Sequence, residues 1–445
     1  MIHSGKKTVV LGLGESGEAA ATLLLEEGAA VTVCESADNP SVREKSAKME
    51  ARGIRVLIGD AAEADPSSYD LAVLSPGIDP SAPLVQNILL KNIPILGELE
   101  LAFQECTCPV VAITGTNGKT TTTGLTEKIL TDCGVRTMAS GNIGLPFSSA
   151  VRKSHQLDVM ILEVSSFQLE TIHTFHPKVA AWLNLSPNHL DRYPGMEEYR
   201  AAKLRIFENQ TPDDFAVVNV LSDLPPLPAQ RISFSATDPN ADFTLQGREI
   251  FFQGRRLLDL SDTALPGIHN AENIMAALGI GVAWNLDLDN LVRAVAGYTP
   301  PVHRCEFVRD LDGVRWINDS KATNLDAMEK AIVSQDRPII LIAGGKDKGV
   351  EFDDNADLVG EKVRAAVLIG EMKERIAASW KKTACHIAAT LEEAVAKARE
   401  LSEPGDVVLF SPGTSSYDMF RNYEERGNIF KSLVQQLKNN PSTTP

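Results

Sequence analysis

The string Thr114-Gly115-Thr116-Asn117-Gly118-Lys119-Thr120-Thr121 follows an apolar run at 110–113 and precedes a stretch of helical period. Glycines in such a turn let backbone N–H groups wrap phosphate oxygens, a lysine neutralises β- and γ-oxygens, and the neighbouring hydroxyl suits Mg2+. The first glycine of the usual G-x-x-x-x-G-K-[ST] loop would fall at Ile113, so this loop is shortened, with strand, Gly-Lys-Thr and helix still in order. Gly115, Thr116, Asn117, Gly118, Lys119, Thr120 and Thr121 are the candidate phosphate-binding residues. Downstream, Glu163 closes a strand-like run and His189 lies in Asn188-His189-Leu190-Asp191. A carboxylate and a neutral imidazole can hold Mg2+ or Mn2+ when substrate oxygens complete the octahedron.

A second glycine turn, Gly12-Leu13-Gly14-Glu15-Ser16-Gly17, fits G-x-G-x-x-G, and Glu35 closes the next strand. That pattern reads either as a diphosphate-binding turn or as a tight turn packing helix on sheet. Ser75-Pro76-Gly77-Ile78 would add amides on the same sheet edge, or is a plain turn. Asn318-Asp319-Ser320-Lys321-Ala322-Thr323-Asn324 gathers a carboxylate, an ammonium, hydroxyls and amides, and reads equally as an N-capping turn. Gly344-Gly345-Lys346-Asp347-Lys348-Gly349 puts two cations after a buried run, at the strand end where open α/β sheets bind ligands. Taken alone, Gly141-Asn142-Ile143-Gly144 is a turn, His269-Asn270-Ala271-Glu272-Asn273 a capped helix start, and Lys203 a solvated helix lysine.

The elements that must position these residues form three α/β sections. From 7 to 101, strand-like runs at 8–13, 30–34 and 71–74 alternate with helical periods at 18–27 and 83–92, which reads as βαβ units on a parallel sheet. A second section opens at 110–113 and continues through 158–163 and 179–183, after a linker near 106–109. A third follows Thr299-Pro300-Pro301, with a hairpin at Asp312-Gly313 and strands at 339–343, 365–369 and 407–410. The predicted domains are 1–107, 108–299 and 300–445, with a surface loop at 221–228 and a disordered tail at 439–445.

Across 445 residues, 43 Lys+Arg stand against 59 Asp+Glu, a net charge of −16. That balance argues against general affinity for nucleic acid or an anionic membrane surface, so any polyanion must be held locally. The six cysteines are scattered, and Cys106-Thr107-Cys108 lacks the second pair a zinc site needs. There is no secretory h-region and no apolar stretch long enough to insert in a membrane, so a cytoplasmic chain is expected.

Loop 115–120, Glu163-Val164-Ser165-Ser166, Asn188-His189-Leu190-Asp191, the Lys203 segment, His269 to Asn273 and His303-Arg304 together resemble motifs of the Mur ligases. These are ATP-dependent amide-forming enzymes of peptidoglycan precursor synthesis, and their central domain is shared with folylpolyglutamate synthases. The resemblance runs from Gly12 to about Gly427. The 12–17 turn, the 318–324 string, and Ser411-Pro412 followed by Ser415-Ser416-Tyr417-Asp418 and Asn422-Tyr423-Glu424 resemble the members that add D-glutamate to UDP-N-acetylmuramoyl-L-alanine.

The resemblance implies an α/β fold of three domains: Rossmann-like at the N-terminus, a central P-loop ATPase-like domain on a mostly parallel sheet, and Rossmann-like at the C-terminus. It implies Gly14, Ser16 and Gly17 near the diphosphate of the UDP substrate, Glu35 and Ser36 by the uracil with Ser75 and Gly77 beside them, and Asn142 at the sugar-diphosphate. ATP phosphates would meet Lys119 and Thr120, and two Mg2+ ions Thr120, Glu163, His189 and a carbamylated Lys203. Asn270 and Asn273 would meet adenine, Arg304 and Asp319 ribose and phosphate, and Lys321 the acyl phosphate. Thr323, Lys348, Ser416 and Tyr423 would hold the D-glutamate carboxylates, with Lys346 the rival of Lys348. Lys119, His189, Lys203 and Lys321 would be catalytic, with His189 or a metal-held water as base. A monomer without nucleic-acid partner or membrane insertion is expected. The alternatives are a folylpolyglutamate synthase-like ligase, an NAD(P)-dependent oxidoreductase resting on 12–17, and a silent P-loop binding module.

Overall fold

The computed structural model describes residues 2–439 except 64, 66, 143, 187–191, 266, 300–301, 336 and 347–351. The expectations for His189, Lys348 and the last residues of the tail therefore fall outside the described residues. The first sheet comprises β1 (Lys7–Leu11), β2 (Ala30–Glu35), β3 (Arg55–Ile58), β4 (Leu71–Leu74) and β5 (Ile95–Gly97), parallel throughout in the order β3-β2-β1-β4-β5. Val9 and Val10 on β1 and Ala72 and Val73 on β4 are fully buried, as expected of strands covered on both faces. On the helix Glu15–Glu26, Gly17, Ala20, Ala21 and Leu24 are buried, a stripe at i, i+3, i+4 and i+7 that lays one face on the sheet. Strand order reverses between β1 and β4, so their carboxyl ends open one crevice with Gly12 on one side and Ser75 on the other.

The central sheet holds β6 (Val110–Thr114), β7 (Thr137–Gly141), β8 (Val159–Glu163), β9 (Val179–Trp182), β10 (Phe215–Asn219), β11 (Gln230–Ser235), β12 (Phe243–Gln246), β13 (Glu249–Phe252) and β14 (Arg255–Asp259). Its order is β14-β13-β12-β11-β10-β9-β6-β8-β7, parallel from β12 to β7 and antiparallel at the β12-β13-β14 edge. β6 lies between β8 and β9, so the phosphate loop that follows it is flanked by Glu163 on one side and Asn184 on the other. The helix Glu98–Glu105 ties this sheet to the first. Fully buried Glu100 accepts from the amides of His173 (2.9 Å), Thr174 (2.9 Å) and Phe175 (3.0 Å). One apolar core runs on through Val10, Leu99, Phe147 and Trp182. Packing accordingly joins the first two sheets into one compact unit, Met1–Pro300, while Pro301–Pro445 forms another.

That second unit carries β15 (Glu306–Leu311), β16 (Val314–Asn318), β17 (Ile339–Ala343), β18 (Val363–Leu368), β19 (Ala384–Ile387) and β20 (Val407–Phe410), in the order β15-β16-β20-β17-β18-β19. All pairs are parallel except the β15-β16 hairpin. Asp312 and Gly313 turn it with φ of 50° and 79°, the left-handed pair that matches the twist of the two strands. The segment 221–228 has no helix or strand, as expected, although Leu224 and Leu227 pack on the core.

Candidate active site

Gly118 caps the helix Lys119–Asp132 with a φ of 83°, and a Cβ there would stand 2.2 Å from Asn273 Oδ1. The helix Ile268–Ala283 thereby reaches the loop: Thr122 Oγ1 donates to Asn273 Oδ1 (3.2 Å), and Asn273 Nδ2 donates to Asn270 Oδ1 (3.3 Å). Lys119 folds back so that Nζ donates to the carbonyls of Gly115 (3.0 Å) and Thr116 (2.9 Å). Lys203, from the helix Met196–Leu204, donates to the same Gly115 carbonyl at 2.9 Å and to Thr114 Oγ1 at 3.4 Å.

Lys203 is only 1% exposed, against the sequence expectation of a solvated lysine. Burial, and then the Lys119 charge, push its pKa well below the ordinary lysine value, with Glu163 opposing. Burial also lowers Lys119, again against Glu163. On the far side, Glu163 Oε2 accepts from Thr120 Oγ1 (2.9 Å) and Oε1 from Asn142 Nδ2 (2.8 Å). A carboxylate and a hydroxyl at a helix N-terminus are hard oxygen donors that fit Mg2+. Lys203 as an amine does not, whereas a carbamate on it would. Sequence reasoning missed Asn184, whose Oδ1 accepts from the amides of Thr116 (3.1 Å) and Asn117 (2.8 Å). Position just past the central strand β9 is its only sequence signal.

In the first sheet, Glu35 is spent on the glycine turn itself: Oε2 accepts from Leu13 N (2.8 Å), and Oε1 from Ala37 N (2.9 Å) and Ser36 Oγ (3.5 Å). A dinucleotide reading needs that carboxylate on a ribose instead. Gly12 has a φ of 95°, and a Cβ on Gly17 would lie 2.0 Å from the Gly12 carbonyl, so both glycines are required by backbone approach. Gly14 and Gly77 are exposed and Ser16 half-buried. Ser75 is buried with its Oγ unpartnered, 2.9 Å from where that Gly17 Cβ would be. An orphaned hydroxyl facing a glycine turn fits an anionic ligand lying across it.

In the unit Pro301–Pro445, the neighbouring strands β16, β20 and β17 deliver the 318–324 string, the 411–417 loop and Gly344-Gly345-Lys346 to one sheet edge. Asp319 accepts from Ser411 Oγ (2.7 Å) and Cys305 N (3.0 Å), and burial raises its pKa to about 6. Arg304 sits between His303 and Cys305, both with left-handed φ (62° and 43°). Lys346 N donates to the Ser415 carbonyl at 2.9 Å, and buried Ser416 lies next to it. Lys321 is exposed, and Thr323 and Tyr423 are half-buried. Arg426, fully buried and not singled out from the sequence, ties the strings together. It donates to Ser320 Oγ (3.0 Å), the Ser320 carbonyl (2.8 Å) and the Thr414 carbonyl (3.2 Å), while Ser320 Oγ donates to the Tyr423 carbonyl (2.8 Å). An arginine on a surface-like helix gives no sequence hint of this.

Sequence profiles match along the chain in three places: the MurD-like N-terminal domain of Mur ligases over 6–97, the Mur ligase middle domain over 113–281, and the Mur ligase glutamate ligase domain over 303–413. The chain belongs to the Mur ligase family. Within it, the chain is similar to UDP-N-acetylmuramoylalanine--D-glutamate ligases: that of Geobacter metallireducens is 43% identical over 98% of both chains. Those of Syntrophotalea carbinolica (42%, covering 98% and 99%) and Lactobacillus helveticus (39%, covering 98% of both) agree. Among solved structures, a murein peptide ligase of Psychrobacter arcticus (14% identity, 98% and 100% covered, TM-score 0.52) shares the fold. So does the UDP-N-acetylmuramate-alanine ligase of Thermotoga maritima (18%, 97% and 100%, TM-score 0.50).

Proposed function

We propose that this chain is the ligase that joins D-glutamate to UDP-N-acetylmuramoyl-L-alanine, consuming ATP through an acyl phosphate in peptidoglycan precursor synthesis. The observation that carries the ATP half is the pair of amines, half-buried Lys119 and buried Lys203, meeting on the Gly115 carbonyl beside Thr120 and Glu163. The substrate half rests on likeness over nearly the whole length of D-glutamate-adding relatives. The domains are taken as 1–107 for the UDP substrate, 108–299 for ATP and 300–445 for the amino acid, each enclosing one sheet. Free thiols at all six cysteines are in keeping with a cytoplasmic site.

The alanine carboxylate attacks the γ-phosphorus as the bond to ADP breaks, and the D-glutamate amine then attacks the acyl carbon and expels phosphate. Lys119 swings from its carbonyls to the transferring oxygens, and loop amides hold the rest. Two bound Mg2+ ions, held by Thr120, Glu163, His189 and carbamylated Lys203, would neutralise phosphate charge. Burial keeps a share of Lys203 as the neutral amine that carbamylation requires, since only the free base adds to CO2. Gly14, Ser16, Gly17, Glu35, Ser36, Ser75, Gly77 and Asn142 bind the UDP substrate. Asn270, Asn273, Arg304 and Asp319 complete the nucleotide contacts, Lys321 takes the acyl phosphate, and Thr323, Lys348, Ser416 and Tyr423 take D-glutamate. Phosphate release with UDP-N-acetylmuramoyl-L-alanine should require D-glutamate over L-glutamate, L-lysine and meso-diaminopimelate. A folate–glutamate product without reaction on the UDP-sugar would overturn the proposal.

A further inference from the structure

Ser75-Pro76-Gly77-Ile78 is a β-turn closed by Ile78 N donating to the Ser75 carbonyl at 3.1 Å. Proline followed by glycine at its two central positions is the sequence of a type II turn, in which the glycine takes a positive φ. Gly77 does not: its φ lies outside the left-handed region, so the turn is held in the type I sense. The two types differ by rotation of one peptide unit, Pro76–Gly77, through about half a turn. Because that unit is planar and trans, its C=O and N–H point opposite ways. Whatever fixes the Pro76 carbonyl therefore also aims the Gly77 N–H.

The Pro76 carbonyl accepts from Arg192 Nη1 at 3.2 Å, a bond from the central domain to the first. Arg192 is itself held tightly. Its Nη2 donates to Glu170 Oε2 at 2.8 Å, its guanidinium carbon lies 4.1 Å from the Phe167 ring centroid, and its side chain is only 12% exposed. Phe167 stacks on Tyr193 with centroids 5.8 Å apart, and the Tyr193 hydroxyl donates to Glu170 Oε1. An ion pair on one side and aromatic rings on the other leave the guanidinium little rotamer freedom, so one N–H is committed to Pro76 before any ligand arrives.

We propose that Arg192 is a positioning residue of the UDP site: from the central domain it selects the orientation of the Pro76–Gly77 peptide and so turns the Gly77 N–H toward the crevice beside the 12–17 turn. The inference rests on the first domain holding the UDP moiety, as proposed above. Loss of the charged hydrogen bond that holds the turn in the type I sense should weaken UDP binding by about tenfold.

The test is calorimetric titration of UDP into the full chain and its Arg192→Ala and Arg192→Lys variants, with KM for ATP and melting temperature measured alongside. Both variants should lose about tenfold in UDP affinity while KM for ATP stays within twofold, because a lysine can keep Glu170 but cannot also present the fixed second N–H. Adding Gly77→Ala to Arg192→Ala should recover part of the loss, since a side chain there disfavours the positive φ of type II, and a Cβ at Gly77 meets nothing within 4 Å. Unchanged UDP affinity in both single variants, equal losses for UDP and ATP, or no recovery in the double variant would overturn the inference. If the parent chain itself fails to bind UDP, the assignment of the first domain falls, and this inference with it.

Discussion

At 12–17 and at 115–118 the chain repeats one construction, a parallel strand ending in glycines that hands over to a helix, yet the side chains around the two turns differ in balance. The first has three glutamates and Lys45, which donates to the Leu13 carbonyl at 3.2 Å, and the second has two lysines and Glu163. Glu35 caps the first turn by accepting from Leu13 N, and Glu15 and Glu18 lie in the first turn of its helix. Lys119 and Lys203 converge on the second, whose amides at Thr116 and Asn117 are held by the neutral Asn184. Backbone amides and a helix terminus supply the geometry of anion binding in both places, and the added cations set how much charge is accepted. Under the proposed function, the first turn takes a diphosphate ester and the second the more highly charged triphosphate. A chain of net charge −16 can thus hold two polyanions without a basic surface.

The comparison breaks first at the cations. Lys203→Ala should cost about a thousandfold in phosphate release while a fluorescent ATP analogue still binds; turnover near that of the parent chain would remove Lys203 from the chemistry. Lys119→Ala should cut ADP–ATP label exchange, which reports acyl-phosphate formation, by about a hundredfold. Retained exchange would show that amides alone suffice at the second turn.

Sterics sharpen it next. Gly17→Ala drives a Cβ to 2.0 Å from a carbonyl and should cost about 1–3 kcal/mol in urea unfolding, whereas Gly14→Ala, whose Cβ meets nothing, should cost a few tenths. Equal costs would mean that the first turn is not held by close backbone approach.

The smallest effect concerns pH. In the fold Lys203 binds its proton less tightly than in the unfolded chain, so its contribution to stability rises with pH between the lowered folded pKa and the ordinary lysine value near ~10.4. Lys203→Met removes that dependence. In CO2-free buffer it should be most stabilising, relative to the parent, at pH 6.5, and the advantage should shrink by pH 9.5. The same difference at both values would contradict a buried, proton-shedding amine.

Much of the scaffold was legible as local pattern. The runs at 71–74, 339–343 and 407–410 coincide with β4, β17 and β20, and Asp312-Gly313 turns its hairpin, because buried parallel strands and left-handed turns are written in consecutive residues. The helix expected from 18 begins at Glu15, since the glycine turn before it already supplies its cap. Of the site, the glycine turns, Lys119, Thr120 and Glu163 could be read from their types and spacing. Asn184, Arg192 and Arg426 could not, because each acts through a partner far along the chain, and a lone Asn or Arg carries no spacing that marks it.

What the sequence by itself determined was the most apolar of the buried strands, the glycine turns at their ends and the family to which the motifs belong, since each motif is written in neighbours within a few residues. What only the tertiary structure decided was the state of those groups. Burial made Lys203 a displaced amine rather than a solvated one, and Glu35 was drawn onto its own turn. Arg192 was brought across from the central domain to hold a Pro-Gly turn in the form its sequence does not favour. Burial and long-range partners set proton affinity and peptide orientation, and neither exists until distant segments have packed together.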